Sequence, residues 1–98
     1  MARIVWTMRS VEDLEAIRLF IARDSARVAD RFIRWVTSSV EQLDRFPFSG
    51  AVVPELNRED IREIVRGNYR VIYRATEELV EIIRVYHGAR LFNERELS

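Results

Sequence analysis

The sequence predicts an α+β domain in which an N-terminal strand and an α-helical hairpin pack on one face of a small antiparallel β-sheet, in the order β-α-α-β-β-β. Three observations carry this. The stretch from Ile61 to Arg90 reads as three successive strands rich in Val, Ile, Tyr and Arg, broken at Gly67-Asn68 and at Thr76-Glu77-Glu78. Two segments before it carry apolar residues at helical spacing. Strands grouped after helices favour helices laid on one side of an antiparallel sheet.

Taken in order, Arg3 to Trp6 (RIVW) is a short strand candidate. Its place in the sheet, at an edge or beside a later strand, stays open. Thr7 or Ser10 can cap the first helix, and Ser10 with Asp13 resembles a capping box. Val11, Leu14, Ile17 and Ile21 then form one stripe, widened by Ala16 and Phe20. Asp24-Ser25 interrupts and offers a new cap. In the second helix Ala26, Ala29, Ile33, Val36, Val40 and Leu43 alternate spacings of 3 and 4, which keeps one seam facing a partner. Phe32 and Trp35 lie beside that seam. Trp35 reads first as core packing, with a partner-binding aromatic at the helix edge as the alternative. Pro47 ends the helix, and FPFSGAVVPEL is a loop crossing the edge of the sheet.

In the middle strand of the meander, Tyr69, Val71 and Tyr73 point one way and Arg70, Ile72 and Arg74 the other. The apolar set faces the helices, which leaves Arg70 and Arg74 on an open face. The third strand, LVEIIRVYH, is apolar at nearly every position, as expected of a strand covered on both sides. Arg84 and Tyr86 share one parity there, and Val85 and His87 the other.

The chain has 98 residues, one domain's worth, and spans 1–98 as a single unit. It has 16 basic and 16 acidic residues, no cysteine, and no lysine. Disulfides, thiolate chemistry and lysine Schiff bases are therefore excluded. A neutral chain gains little long-range steering toward nucleic acid. No apolar run reaches a membrane span and the N-terminus lacks a signal-peptide core, so the expected location is cytoplasmic, away from membranes. No phosphate loop, nucleophile elbow or zinc motif is present, and no cofactor is expected.

A candidate constellation remains: Arg62, Arg70, Arg84, His87 and Arg90, drawn from neighbouring strands. It could hold a phosphodiester, with His87 as general acid or base. It could instead bind acidic groups of a protein partner, or simply be a solvated face paired with Glu63, Glu77, Glu78 and Glu81.

The ordered set VEDLEAIRLFIARDSARVADRF, LDRFPFSG, VPEL, IREIVRGNYRVIYR and VEIIRVYHGAR resembles the RelE/ParE superfamily of toxins from type II toxin–antitoxin pairs, over almost the whole chain. The resemblance implies a small cytoplasmic toxin held inactive by a cognate antitoxin. RelE-like members cut messenger RNA in the ribosomal A site. ParE-like members poison DNA gyrase. For RelE-like chemistry the matching catalytic residues are Arg70, His87 and Arg90. Candidates for partner contacts are Phe20, Phe32, Trp35, Arg62, Arg74 and Arg84. The sequence departs from the RelE pattern. Ile61–Arg66 has no Lys pair, no Tyr or His follows Arg90, and Ala51 stands where many relatives have Arg. These departures favour the ParE-like branch.

Overall fold

A computed structural model describes residues 1–97. The elements are β1 (Arg3–Trp6), α1 (Met8–Ala22), α2 (Ala26–Glu41), a 3₁₀ turn (Gln42–Asp44), β2 (Ala51–Val52), β3 (Ile61–Arg66), β4 (Tyr69–Ala75), β5 (Leu79–His87) and a second 3₁₀ turn (Glu94–Leu97). The α+β architecture and the helical hairpin are as the sequence predicts. Two features of the sheet differ. β1 pairs parallel to β5, so the sheet is mixed, ordered β1-β5-β4-β3-β2. The loop after Pro47 contributes the short edge strand β2, antiparallel to β3.

The β3–β4 hairpin closes on Gly67-Asn68 with Gly67 at φ +59°. A positive φ at the first central residue suits a II′ turn, whose twist matches the flanking strands. At the other end, the Thr76 hydroxyl accepts from the amides of Glu78 and Leu79 and shapes the β4–β5 turn.

Thr7, not Ser10, caps α1, accepting from the Ser10 amide at 3.2 Å and donating to the carbonyl of Ile82 in β5 at 2.7 Å. Ser10 is fully buried and returns its hydroxyl to the Thr7 carbonyl. The core-facing stripe of α1 is therefore the buried Ser10 and Ile17 with the partly buried Leu14 and Ile21, while Val11, Ala16 and Phe20 face solvent. Leu14, Ile17 and Ile21 thus face the core as their spacing predicts, and next to the Thr7 tether to β5 it is Ser10, not Val11, that is buried. α2 follows its seam: Ala29, Val36, Val40 and Leu43 are buried, and only Ala26 at its start is exposed.

The helix-side core joins these residues to Val71, Tyr73, Val80, Ile82 and Val85. Parity in β4 is as expected. In β5 a bulge opposite Ile72 and Tyr73 shifts the alternation, so Ile82 faces the helices while Ile83 faces away. The far face of the sheet is not open. Val53, Ile61, Ile72, Ile83, Tyr86 and Phe92 form a second apolar cluster there, roofed by the β2–β3 loop and the chain after β5.

Gly50 explains the FPFSG turn. Its amide donates to the buried Tyr73 hydroxyl at 3.0 Å, and a Cβ at this position would lie 2.6 Å from both that oxygen and the Glu63 carbonyl. Gly50→Ala is expected to cost about 1–3 kcal/mol through overpacking. A thermal melt lowered by roughly 4–8 °C per kcal/mol would register it.

Candidate functional site

The residues singled out from the sequence fall on three surfaces, and the pleat decides which. Arg70 and Tyr86 are opposite one another and point to the far face; Tyr69 and His87 are opposite one another on the helix-side pleat. Arg62 is paired with Tyr73 and also lies helix-side. The constellation expected on one open face is thus divided between the two pleats, although Arg70 and His87 both line one cleft at the end of β5.

Arg70 is 6% exposed rather than solvated. Its Nε and Nη2 donate to Glu63 Oε1 at 2.9 and 2.6 Å. Nη1 and Nη2 donate to the Glu55 carboxylate at 2.6 and 2.9 Å, and Nη1 also donates to the Arg90 carbonyl at 3.0 Å. All the N–H donors of a guanidinium are used in this set. Glu55 additionally accepts from the Phe92 amide at 2.8 Å. Arg70 therefore fastens the β2–β3 loop, β3 and the C-terminal segment together. Its hydrogen bonds, more than offsetting partial burial, hold the Glu55 carboxyl down at about 2.

Arg84, also buried, is gripped by both oxygens of Asp13 at 2.7 and 2.9 Å and by Glu96 at 2.7 Å. The Asp13 hydrogen bonds raise the Arg84 pKa further. Asp13 also takes the Val85 amide at 2.9 Å, so it is an anchor between α1 and β5 rather than part of a capping box. Arg90 reaches over the Tyr86 ring, 4.2 Å from its centroid, with Glu96 3.9 Å away. Burial pushes Glu96 up, but hydrogen bonds from Arg84 and Tyr86 outweigh it and leave its carboxyl below the usual range. Arg62 donates to the carbonyls of Glu59, Phe48 and Gly50 and binds the loop before β3. Arg74 is half-buried, and its Nε has no hydrogen-bond partner among the described residues.

His87 is exposed. It stands edge-on to Tyr69 at 5.8 Å, and its Nδ1 accepts from the Ala89 amide at 3.2 Å. Tyr69 continues to Phe32 at 5.3 Å, and Phe32 to Trp35 at 6.2 Å. Trp35 is half exposed, which overturns its reading as core packing. With Val28, Arg31 and Phe32 it lines a shallow groove of ≈ 320 Å³ on α2. Arg66 lies over the Trp35 ring at 5.9 Å, donating to Ser39 Oγ at 2.7 Å and to the Val65 carbonyl at 2.7 Å. Phe20 sits apart on α1, 60% exposed, under the guanidinium of Arg23.

The acidic anchors Glu55, Asp13 and Glu96 escape the sequence reading. The available signal is the equality of 16 acidic and 16 basic residues, which allows each buried arginine its carboxylates. Among the described residues no group of His, Cys, Asp and Glu could hold a metal ion, and no helix is long and apolar enough to cross a membrane.

The family described as ParE toxin of type II toxin–antitoxin system, parDE, matches residues 4–92. Toxin RelE2 of Caulobacter vibrioides is 34% identical over 91 residues, covering 93% of this chain and 100% of that protein. The chromosomal ParDE toxin–antitoxin system of P. aeruginosa superposes with a TM-score of 0.71 at 20% identity, over 89% of this chain and 96% of that one. The RelBE2 toxin–antitoxin complex of Mycobacterium tuberculosis gives 0.63 at 25% identity, over 88% and 96%. The chain belongs to the ParE toxin family and is a type II toxin of the ParE/RelE superfamily.

Proposed function

We propose that this toxin arrests growth in the cytoplasm by poisoning DNA gyrase, and that a cognate antitoxin holds it inactive. One observation carries the choice of target. A ribonuclease would need Arg70, His87 and Arg90 free and convergent on a phosphate. Here Arg70 spends its donors on Glu55, Glu63 and a carbonyl, His87 lies on the opposite pleat, and Arg90 turns to Tyr86. The match to the ParE family supports the same reading. The second reading, a ribosome-dependent mRNA endonuclease, is favoured by the relative named RelE2 and by the cleft that Arg70 and His87 both border.

Antitoxin binding is supported by the RelBE2 complex among the structural neighbours and by the exposed apolar surface around Phe32 and Trp35. The partner candidates Arg62, Arg74 and Arg84 fit this role less well, being occupied in the fold or half-buried.

Induction of the toxin alone should block replication and trigger DNA damage while protein synthesis initially continues. Prompt arrest of translation with A-site cleavage of messages would overturn the gyrase reading. The toxin and the product of an adjacent antitoxin gene should co-purify. Absence of association at about 1 μM would contradict the partner assignment.

A further inference from the structure

A cleft of ≈ 740 Å³ lies between the β2–β3 loop and the end of β5, bordered by His87 at its rim, within the ~300–1,000 Å³ typical of ligand sites. Its walls include Pro54, Val65 and Leu91, all apolar, and its floor carries Glu55, Glu63 and Arg70. Two carboxylates share one guanidinium there, so the floor keeps a formal charge of about −1. Glu55 uses both oxygens on Arg70. Glu63 uses only Oε1, leaving Oε2 without a hydrogen bond among the described residues. That atom is not fully buried, so solvent reaches it. A buried arginine on a strand suggests an anion site; its two carboxylates reverse the sign.

We infer that this cleft receives a basic side chain, arginine or lysine, carried on a short apolar stretch of a protein partner, with Glu63 Oε2 as the acceptor. The cleft has room for far more than one guanidinium, and its apolar walls suit the flanking residues of a peptide better than a free small cation. A phosphate would meet the unpaired carboxylate charge with no free donor on Arg70. The inference is independent of whether gyrase or the ribosome is the target.

The test is an amide NMR titration of the full ¹⁵N-labelled chain with an acetylated Leu-Arg-Leu peptide. Leu-Glu-Leu and inorganic phosphate are the comparison probes. The arginine peptide should shift the amides of Val65, Gly67, Asn68 and Gly88, and the other two probes should not. Glu63→Gln should weaken binding roughly tenfold. Val65→Lys places a cation at an exposed wall position, leaves the core untouched, and should also suppress binding. Shifts from phosphate at these amides, no shifts from the arginine peptide, or full-strength binding by Val65→Lys would each overturn the inference.

Discussion

Val36→Asp is expected to leave the chain without a cooperative thermal transition. Val36 is 0% exposed and sits where the α2 seam meets the sheet, in the cluster that contains Val71 and Tyr73. Its neighbours in that cluster, Val40, Leu43, Val71 and Tyr73 among them, offer no charge to pair with a carboxylate. An uncompensated buried charge costs several kcal/mol, commonly about 3–5. Lost packing adds to that, and the whole domain has only about 5–15 kcal/mol to lose. Circular dichroism across a temperature ramp checks this. A variant melting near the wild-type temperature would mean that α2 presents a different face to the sheet.

Arg70→Ala carries the second large effect, and its direction separates architecture from chemistry. Removing the guanidinium leaves Glu55 and Glu63 facing each other without their shared cation, at a cost of about 3–5 kcal/mol. The roof over the far-face cluster should loosen at the same time, because the Arg90 carbonyl and the loop at Glu55 lose their common tie. Acid dependence provides an independent reading. The Glu55 carboxyl titrates at about 2 in the folded chain against an ordinary value of 4.5. Its contribution is therefore complete above pH 4.5 and is lost as the pH falls toward 2, by about 3 kcal/mol in all. Urea unfolding as a function of pH should show that loss in the wild type and little of it in Arg70→Ala. If the variant kept wild-type stability and lost toxicity alone, Arg70 would belong to the reaction and not to the frame.

Parity and turn chemistry made the meander legible. Gly67-Asn68 and Thr76 fall at the turns, and Val71 and Tyr73 face the helices as their alternation requires. The α2 seam was equally readable because one buried face dominates its composition. Three things were not. The parallel pairing of β1 depends on a partner more than seventy residues away, and alternation within four residues says nothing about direction. In α1 the Leu14, Ile17 and Ile21 stripe was readable, but the burial of Ser10 in place of Val11 goes with Thr7 binding the Ile82 carbonyl, a contact with no periodic trace. The far-face cover is built from irregular chain, so the arginines beneath it looked solvated when each is enclosed by carboxylates from loop, helix and tail. The candidate site divides along the same line. Position on a strand could be read for Arg70 and His87, and position just after the last strand for Arg90, but which donors remain free could not, because that depends on Glu55 and Glu96, distant in sequence.

β2 is two residues long and, among the described residues, pairs with Arg62 and Glu63 alone, so no described strand lies beside the outer side of Ile64–Arg66. An uncovered edge of this kind is a template for adding strands from other copies, and the usual defences are brevity and charge. Arg66 lies across it, its guanidinium donating to the Val65 carbonyl while braced by Ser39 and Trp35. A toxin released from its antitoxin has to persist in solution long enough to find a target. A charged side chain placed there opposes such stacking, and Arg66→Val is expected to raise light scattering of the isolated protein before it lowers its melting temperature.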